Sequence, residues 1–281
     1  MGSILKGNTM ERNGKTLTMS VFARRKKQGR KLVVLTAYDL TSALIAAAGG
    51  VDAILVGDSL GMVVLGYENT LPVTVDDMVH HCKAVVRARP RVPVIADMPY
   101  GSFHVSPEET VRHGLRLVKD GGASAVKVEG GRSRAAAIKA LVDAEIPVMG
   151  HLGLTPQSVN RFGGYKVQGR GEKAAAALLE EAVFLEESGC FAIVLECIPA
   201  PLAKRISSRL NIPTIGIGAG PGCDGQVLVF HDMLGLFTGL KPKFVKRYAD
   251  LGGAAVKAIE DFCGEVRDGS FPGPEHEYGE D

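Results

Sequence analysis

The sequence predicts an α/β fold, a (β/α)8 TIM barrel with one helix ahead of its first strand, on three observations. Short apolar runs alternate with helix-length segments along the chain, and eight such runs can be counted. Runs that are apolar throughout suit strands buried on both faces, which belong to parallel sheets. Two internal repeats also interleave, and most of their runs end in a polar residue. One repeat reads Val51-Asp-Ala-Ile-Leu-Val-Gly-Asp58, Gly121-Gly-Ala-Ser-Ala-Val-Lys-Val-Glu129 and Gly189-Cys-Phe-Ala-Ile-Val-Leu-Glu196. The other reads Arg91-Val-Pro-Val-Ile-Ala-Asp97, Glu145-Ile-Pro-Val-Met-Gly-His151 and Asn211-Ile-Pro-Thr-Ile-Gly-Ile-Gly218. A proline is tolerated as the first residue of a strand, where no ladder donor is lost, so these prolines read as strand starts. A doubly wound open sheet is the alternative. Against it, Pro221 stands in Gly216-Ile-Gly-Ala-Gly-Pro-Gly222 where a dinucleotide-binding loop needs its third glycine.

In chain order, residues 1–17 are polar and aperiodic, which reads as a flexible N-terminal arm. A short helix follows over 18–29 with a Ser or Thr cap and a glycine stop, and its basic run Arg24-Arg-Lys-Lys27 reads as a solvated face. The first strand, 32–37, leads to Tyr38 and Asp39; Tyr38 can shape a strand-end mouth, while Asp39 reads as the N-cap of the alanine-rich helix that stops at Gly49-Gly50. The remaining strands fall at 53–57, 92–97, 124–129, 146–151, 191–196, 212–217 and 226–231. Helices fall between them at 74–89, 107–119, 132–143, 172–187 and 201–210, the first with Asp76 and Asp77 in its opening turn, where acids favour a helix N-terminus. One barrel domain over 18–270 and a C-terminal tail over 271–281 complete the expected organisation.

Composition narrows the function classes. With 281 residues, 46% of them hydrophobic, the chain can bury one large core. A formal charge of +2 with scattered Lys and Arg leaves no footprint for nucleic acid. The five cysteines are odd in number and form no Cys-x-x-Cys pair, so reduced thiols are expected. No apolar run approaches the roughly 18 residues of a membrane span, and Lys6 stands where an N-myristoylation motif wants Ser or Thr. A cytoplasmic protein without membrane or nucleic-acid partners is expected.

In a barrel, side chains at C-terminal strand ends converge on one mouth, where enzymes of this scaffold place their chemistry. Residues two apart in a strand share a face, so Lys127 and Glu129 point together into the barrel. Asp58, Asp97, Glu129 and Glu196 would then meet Lys127, a formal excess of three negative charges in a partly dry cleft. Such crowding is costly unless neutralised. A divalent cation would neutralise it, and carboxylate oxygens without clustered Cys or His favour Mg²⁺ over Zn²⁺. His151 reads equally as a packed hydrogen-bonding group or a participant, and the glycines after Ile217 carry no ligand assignment.

Longer motifs carry a resemblance: Val56-Gly-Asp-Ser-Leu-Gly61, Leu71-Pro-Val-Thr74, Lys127-Val-Glu-Gly-Gly131, Gly150-His-Leu-Gly-Leu-Thr-Pro-Gln157, Phe162-Gly-Gly-Tyr-Lys-Val-Gln-Gly169 and Gly216-Ile-Gly-Ala-Gly220. From about residue 18 to 276, including Phe271-Pro-Gly-Pro-Glu-His276, the chain resembles the ketopantoate hydroxymethyltransferase family. The resemblance implies a Mg²⁺-requiring barrel that moves a hydroxymethyl group from the co-substrate 5,10-methylenetetrahydrofolate to 3-methyl-2-oxobutanoate, giving 2-dehydropantoate for pantothenate and coenzyme A synthesis. It implies metal binding by Asp58, Asp97 and Glu129, and substrate binding by Asp58, Ser59, Asp97 and Lys127. It further implies acid–base work by Glu196, an open role for His151, and a homo-oligomer, in the family a decamer. Two other classes compete: a Mg²⁺-dependent enolate-forming lyase or mutase on the same barrel, and a non-enzymatic metabolite-binding barrel, which would be expected to have lost a mouth acid.

Overall fold

The computed structural model describes residues 17–237, 239 and 242–279. Eight parallel strands close into a barrel in the order β1-β2-β3-β4-β5-β6-β7-β8, which excludes the open sheet. They are β1 Leu32–Thr36, β2 Ala53–Val56, β3 Val94–Asp97, β4 Ala125–Glu129, β5 Val148–Gly153, β6 Ala192–Glu196, β7 Thr214–Ile217 and β8 Gly225–Leu228. Helices α1 Ser20–Lys27, α2 Leu40–Ala48, α3 Leu60–Val63, α4 Val75–Arg87, α5 Pro107–Leu115, α6 Ala135–Asp143, α7 Val159–Phe162, α8 Glu172–Glu187 and α9 Ala200–Arg209 alternate with them. Two more, α10 Phe230–Leu234 and α11 Leu251–Asp268, follow β8. The contacts divide the chain into two compact units after Phe230. The expected arm over 1–17 lies outside the described residues, except for Leu17.

Local chemistry accounts for the helix starts. Asp39 caps α2 by accepting the Ser42 N–H, and Thr74 and Asp77 form a reciprocal capping box on α4. The burial pattern separates two apolar layers. Leu32, Val34, Ala53, Leu55, Ile95, Ala125, Met149, Ala192, Val194, Ile215 and Val227 fill the barrel interior, while Ile54, Val56, Val94, Val126, Val128, Val148 and Ile193 pack outward with the helices. Strand alternation thus sends Lys127 and Glu129 inward, on the side of Ala125.

Three expectations change. The prolines stand immediately before β3, β5 and β7 rather than inside them. There the missing N–H costs nothing, and each carbonyl accepts the first ladder hydrogen bond of its neighbour: Ile54 N–H to Pro93 O (2.9 Å), Val126 N–H to Pro147 O (3.0 Å) and Ile193 N–H to Pro213 O (3.0 Å). The run at 226–231 is only partly strand, because β8 stops at Leu228 and Phe230 opens α10. Nor is the basic run wholly solvated. Val21 and Phe22 of α1 pack into the barrel-interior cluster. Arg25 pairs with Asp52 at 2.9 Å, and Lys26 Nζ donates to Ser207 O (2.9 Å), Ile212 O (3.0 Å) and Asp224 Oδ2 (2.9 Å). These bonds pin α1 to the N-terminal end of the barrel.

Candidate active site at the barrel mouth

Apart from Lys127, in the middle of β4, the residues expected at the mouth stand at, near or just past the C-terminal end of a strand. Asp97 closes β3, Glu129 closes β4 and Glu196 closes β6; His151 lies near the end of β5, and Asp58 and Ser59 follow β2. The register pairs Asp97 with Lys127 and Glu129 with His151 across adjacent strands. Asp58, Asp97, Lys127, Glu129 and His151 are all buried, whereas Ser59 and Glu196 are partly open. The Ser59 hydroxyl shares a 2.8 Å hydrogen bond with the Tyr38 hydroxyl from the end of β1, so Tyr38 does shape the mouth.

Lys127 Nζ forms an ion pair with Asp97 Oδ1 at 2.9 Å and donates to His151 Nδ1 at 3.1 Å. Asp97 Oδ2 accepts the backbone N–H of Asp58 at 3.0 Å. Burial works against the Lys127 ammonium, yet the charges of Asp97, Glu129 and Asp58 outweigh it and hold its pKa above the ordinary lysine value. The lysine therefore stays charged. Asp58 shows the opposite balance: burial, then the charges of Asp97 and Glu129, push its carboxyl well above the ordinary range despite Lys127 and a hydrogen bond from Gln157. One lysine does not neutralise this cluster.

His151 sits between two carboxylates, with Nδ1 3.5 Å from Glu129 Oε1 and Nε2 3.2 Å from Glu196 Oε2. An ammonium can only donate, so the Lys127 contact is made to an Nδ1 without a proton, whereas pairing with Glu129 through Nδ1 needs one; Nε2 faces Glu196 in either state. Burial and Lys127 oppose a charge on this ring, but Glu129 and Glu196 prevail and raise its pKa. Glu129 is likewise opposed by burial, while His151, Lys127 and the Gln157 N–H bring its pKa below the ordinary value.

Gln157 was not singled out from the sequence, although it ends one of the quoted motifs; an uncharged loop residue sends no chemical signal by type. Its side-chain Nε2 donates to Asp58 Oδ2 (2.8 Å) and Met98 O (2.9 Å), and its backbone N–H donates to Glu129 Oε2 (3.0 Å). Two acceptors at Nε2 fix the amide orientation, because a flipped amide would turn its oxygen on both. The buried Oε1 accepts no hydrogen bond. Cys197, one of the five cysteines expected as reduced thiols, stands next to Glu196. Its φ of 47° lies in the left-handed region that non-glycine residues avoid. Three backbone bonds hold it there: Leu154 N–H to Glu196 O (2.8 Å), Cys197 N–H to Ile217 O (2.9 Å) and Gln168 N–H to Cys197 O (3.0 Å). Burial, then Glu196, pushes its thiol pKa up to about 12, which rules out a ready nucleophile.

The donor set suits a hard divalent cation. It offers buried carboxylates in charge excess, and Glu129 Oε1 and Gln157 Oε1 accept no well-formed hydrogen bond. Among the described residues no group of three or more His, Cys, Asp or Glu side chains stands closely enough together to hold a metal ion by itself.

Fold and site together define a (β/α)8-barrel enzyme with a polar, carboxylate-rich mouth. The ketopantoate hydroxymethyltransferase family profile matches residues 16–274. The 3-methyl-2-oxobutanoate hydroxymethyltransferase of Heliobacterium modesticaldum is 55% identical over 267 residues, covering 95% of this chain and 97% of that protein. The enzyme of the same name from Moorella thermoacetica is 54% identical over 262 residues, covering 93% and 97%. The chain belongs to the ketopantoate hydroxymethyltransferase family and is an enzyme of the hydroxymethyl-transferring class. Among solved structures, a 2,3-dimethylmalate lyase of the PEP mutase/isocitrate lyase superfamily superposes with a TM-score of 0.59 at 18% identity, covering 94% of this chain and 89% of that one. A phosphonopyruvate hydrolase complexed with oxalate and Mg²⁺ gives 0.60 at 14% identity, covering 92% and 93%. At such identities these lyases and hydrolases share the fold alone. No helix among the described residues is long and apolar enough to cross a membrane.

Proposed function

We propose that this mouth converts 3-methyl-2-oxobutanoate, 5,10-methylenetetrahydrofolate and water to 2-dehydropantoate and tetrahydrofolate, a step toward pantothenate and coenzyme A in the cytoplasm. The observation that carries the reading is the single network joining Asp58, Asp97, Lys127, Glu129, His151 and Glu196 at the ends of five consecutive strands, in a member of this family. Asp58 and Asp97 hold Mg²⁺ with Glu129 beside them, and Lys127 and Ser59 receive the oxo acid's carboxylate. Bound Mg²⁺ supplies positive charge for the oxo group as the adjacent carbon loses its proton. Glu196, the most open of the strand-end acids, takes that proton from C3, and His151 holds its carboxylate from the barrel side. The carbanionic C3 then forms its bond to the folate-borne carbon, whose two C–N bonds break as water provides the new hydroxyl, and the two freed nitrogens take up one proton from that water and the one removed from C3; this requires the two substrates to be held face to face.

The phosphonopyruvate hydrolase that shares this fold was solved as a complex with oxalate and Mg²⁺. The test is to incubate oxo acid, methylenetetrahydrofolate and Mg²⁺ with and without EDTA. The proposal expects 2-dehydropantoate only where Mg²⁺ is free, and equal product with excess EDTA would overturn the metal role. We propose further that the chain is a homo-oligomer, because α11 presents Val256, Ile259, Phe262 and Val266 with half or more of their surface exposed in most cases and has no buried residue. Sedimentation of the full chain tests this, and a monomer at micromolar concentration would refute it.

A further inference from the structure

The acids, lysine and histidine of the mouth account for the oxo acid but leave the second substrate without a dock. Three neighbouring strand-end loops supply other chemistry. After β3, Tyr100, His104 and Phe103 form a ladder, with ring centroids 4.8 Å apart for Tyr100 and His104 and 4.3 Å apart for Phe103 and His104. The ladder runs from buried Phe103 to Tyr100, which exposes 50% of its surface. After β4, the Arg134 guanidinium lies 5.6 Å over the Phe103 ring. The glycine that follows Glu129 makes room for it: a Cβ on Gly130 would stand 3.0 Å from Arg134 Cγ. After β5, Arg161 lies over the ring of Phe162 at 5.0 Å.

Glu181 meets the same β4 loop at Arg132, 3.9 Å from its Nε, and among the described residues neither Arg134 nor Arg161 is paired with a carboxylate. Arg134 Nε is buried and has no hydrogen-bond partner, and the charged group that most affects its guanidinium is Arg161, another cation. His104 adds no charge of its own. Its Nδ1 accepts the Gly101 N–H at 3.3 Å, and burial, then Arg134, keeps its pKa below the ordinary value. The ladder is a neutral stacking surface beside an uncompensated positive edge, on the loops that directly follow Asp97 of β3 and Glu129 of β4. A neutral aromatic face stacks flat heterocycles, and arginine recognises carboxylate through a planar fork of donors.

We propose that the Tyr100–His104–Phe103 ladder and the Arg134 and Arg161 edge form the dock for the one-carbon donor, Tyr100 stacking a ring of the reduced folate and the arginines receiving its glutamate carboxylates. This rests on the function proposed above. It assigns a site for a class of ligand with flat rings at one end and carboxylates at the other, and it predicts a preference for longer glutamate tails.

The experiment is calorimetric titration of the full-length protein with tetrahydrofolate, which carries no one-carbon unit and cannot react, in the presence of Mg²⁺ and 3-methyl-2-oxobutanoate. Wild type, Arg134→Gln, Arg134→Lys and Tyr100→Ala are compared with monoglutamyl and triglutamyl forms. Loss of a charge-assisted contact or a stacking face corresponds to about tenfold or more in affinity. Arg134→Gln and Tyr100→Ala are expected to weaken tetrahydrofolate by at least that factor while the oxo-acid dissociation constant moves less than twofold. Arg134→Lys is expected to recover part of the loss, and the triglutamyl advantage is expected to shrink in Arg134→Gln. Equal tetrahydrofolate affinity in wild type, Arg134→Gln and Tyr100→Ala overturns the dock and leaves the function standing. A parallel fall in oxo-acid affinity also overturns it, since the residues would then serve the other substrate. A wild-type protein that forms no 2-dehydropantoate overturns the function itself.

Discussion

Replacing Gln157 by leucine, close in shape but without donors, asks whether this uncharged residue organises the mouth. The substitution removes the Nε2 bonds to Asp58 Oδ2 (2.8 Å) and Met98 O (2.9 Å) and retains the backbone bond to Glu129. A hydrogen bond to a charged group contributes about 1.5–3 kcal/mol, and a buried carbonyl left unpaired costs about 1–3 kcal/mol. Removing the unpaired Oε1 returns about 1 kcal/mol. The net loss for the metal-free protein is on the order of 2–4 kcal/mol. It is measured by urea unfolding in EDTA followed by circular dichroism at fixed protein concentration, since the chain has no tryptophan to report by fluorescence. Combining Gln157→Leu with Asp58→Asn in a double-mutant cycle isolates the pair. Coupling of about 1 kcal/mol or more is expected. A loss below about 0.5 kcal/mol with no coupling would refute the argument that Gln157 holds Asp58 in place.

Asp58→Asn is expected to stabilise the metal-free protein at neutral pH, by about 1 kcal/mol or more, while weakening Mg²⁺ binding; melting in EDTA and Mg²⁺ calorimetry check both halves. The sign follows from the raised Asp58 pKa. Between the ordinary carboxylate value and the raised one, the folded state holds a proton that the unfolded state has lost, so wild-type stability falls as pH rises through that window. Asp58→Asn should flatten this fall, and Mg²⁺ affinity of the wild type should climb over the same window as the proton is displaced. Lys127→Ala is expected to weaken 3-methyl-2-oxobutanoate binding and to destabilise the metal-free fold, because Asp97 loses its counter-ion at 2.9 Å; an unchanged oxo-acid dissociation constant removes it from the substrate site. Lys26→Met keeps the stem of the side chain but breaks three bonds at the base of the barrel, and should cost about 2–4 kcal/mol in unfolding with Mg²⁺ affinity unaltered.

What the sequence reveals about this molecule is set by which features have a period or a charge. The barrel was legible because the strands are apolar on both faces, and helices such as α2 and α8 lie between clear glycine and polar boundaries. The acids were legible because a charge at the end of an apolar run is conspicuous, and the register brings Asp97, Lys127, Glu129 and His151 side by side. Other features depend on partners distant in the chain. Lys26 reads as a solvated charge until Ser207, Ile212 and Asp224 close around it. Gln157 matters because Asp58, 99 positions away, and Met98 accept its amide. The prolines were displaced by a residue because their role is to accept through a carbonyl, a property that composition does not reveal. No pattern in the neighbourhood of Cys197 signals the left-handed turn, which is held by its N–H donating to Ile217 O, its carbonyl accepting from Gln168 and the Glu196 carbonyl accepting from Leu154.

The central claim, proton removal from the oxo acid at this mouth with Glu196 as the base, is tested most directly without the folate. Wild type and Glu196→Gln are incubated with 3-methyl-2-oxobutanoate and Mg²⁺ in D₂O, and loss of the C3 proton signal is followed by NMR. Wild type should exchange this hydrogen in the absence of any one-carbon donor. Glu196→Gln should bind Mg²⁺ and oxo acid almost normally and exchange about 10²–10⁴-fold more slowly, the usual cost of losing a positioned acid–base group. Exchange at the wild-type rate in Glu196→Gln would contradict the account and make His151, 3.2 Å from Glu196, the next candidate for the base.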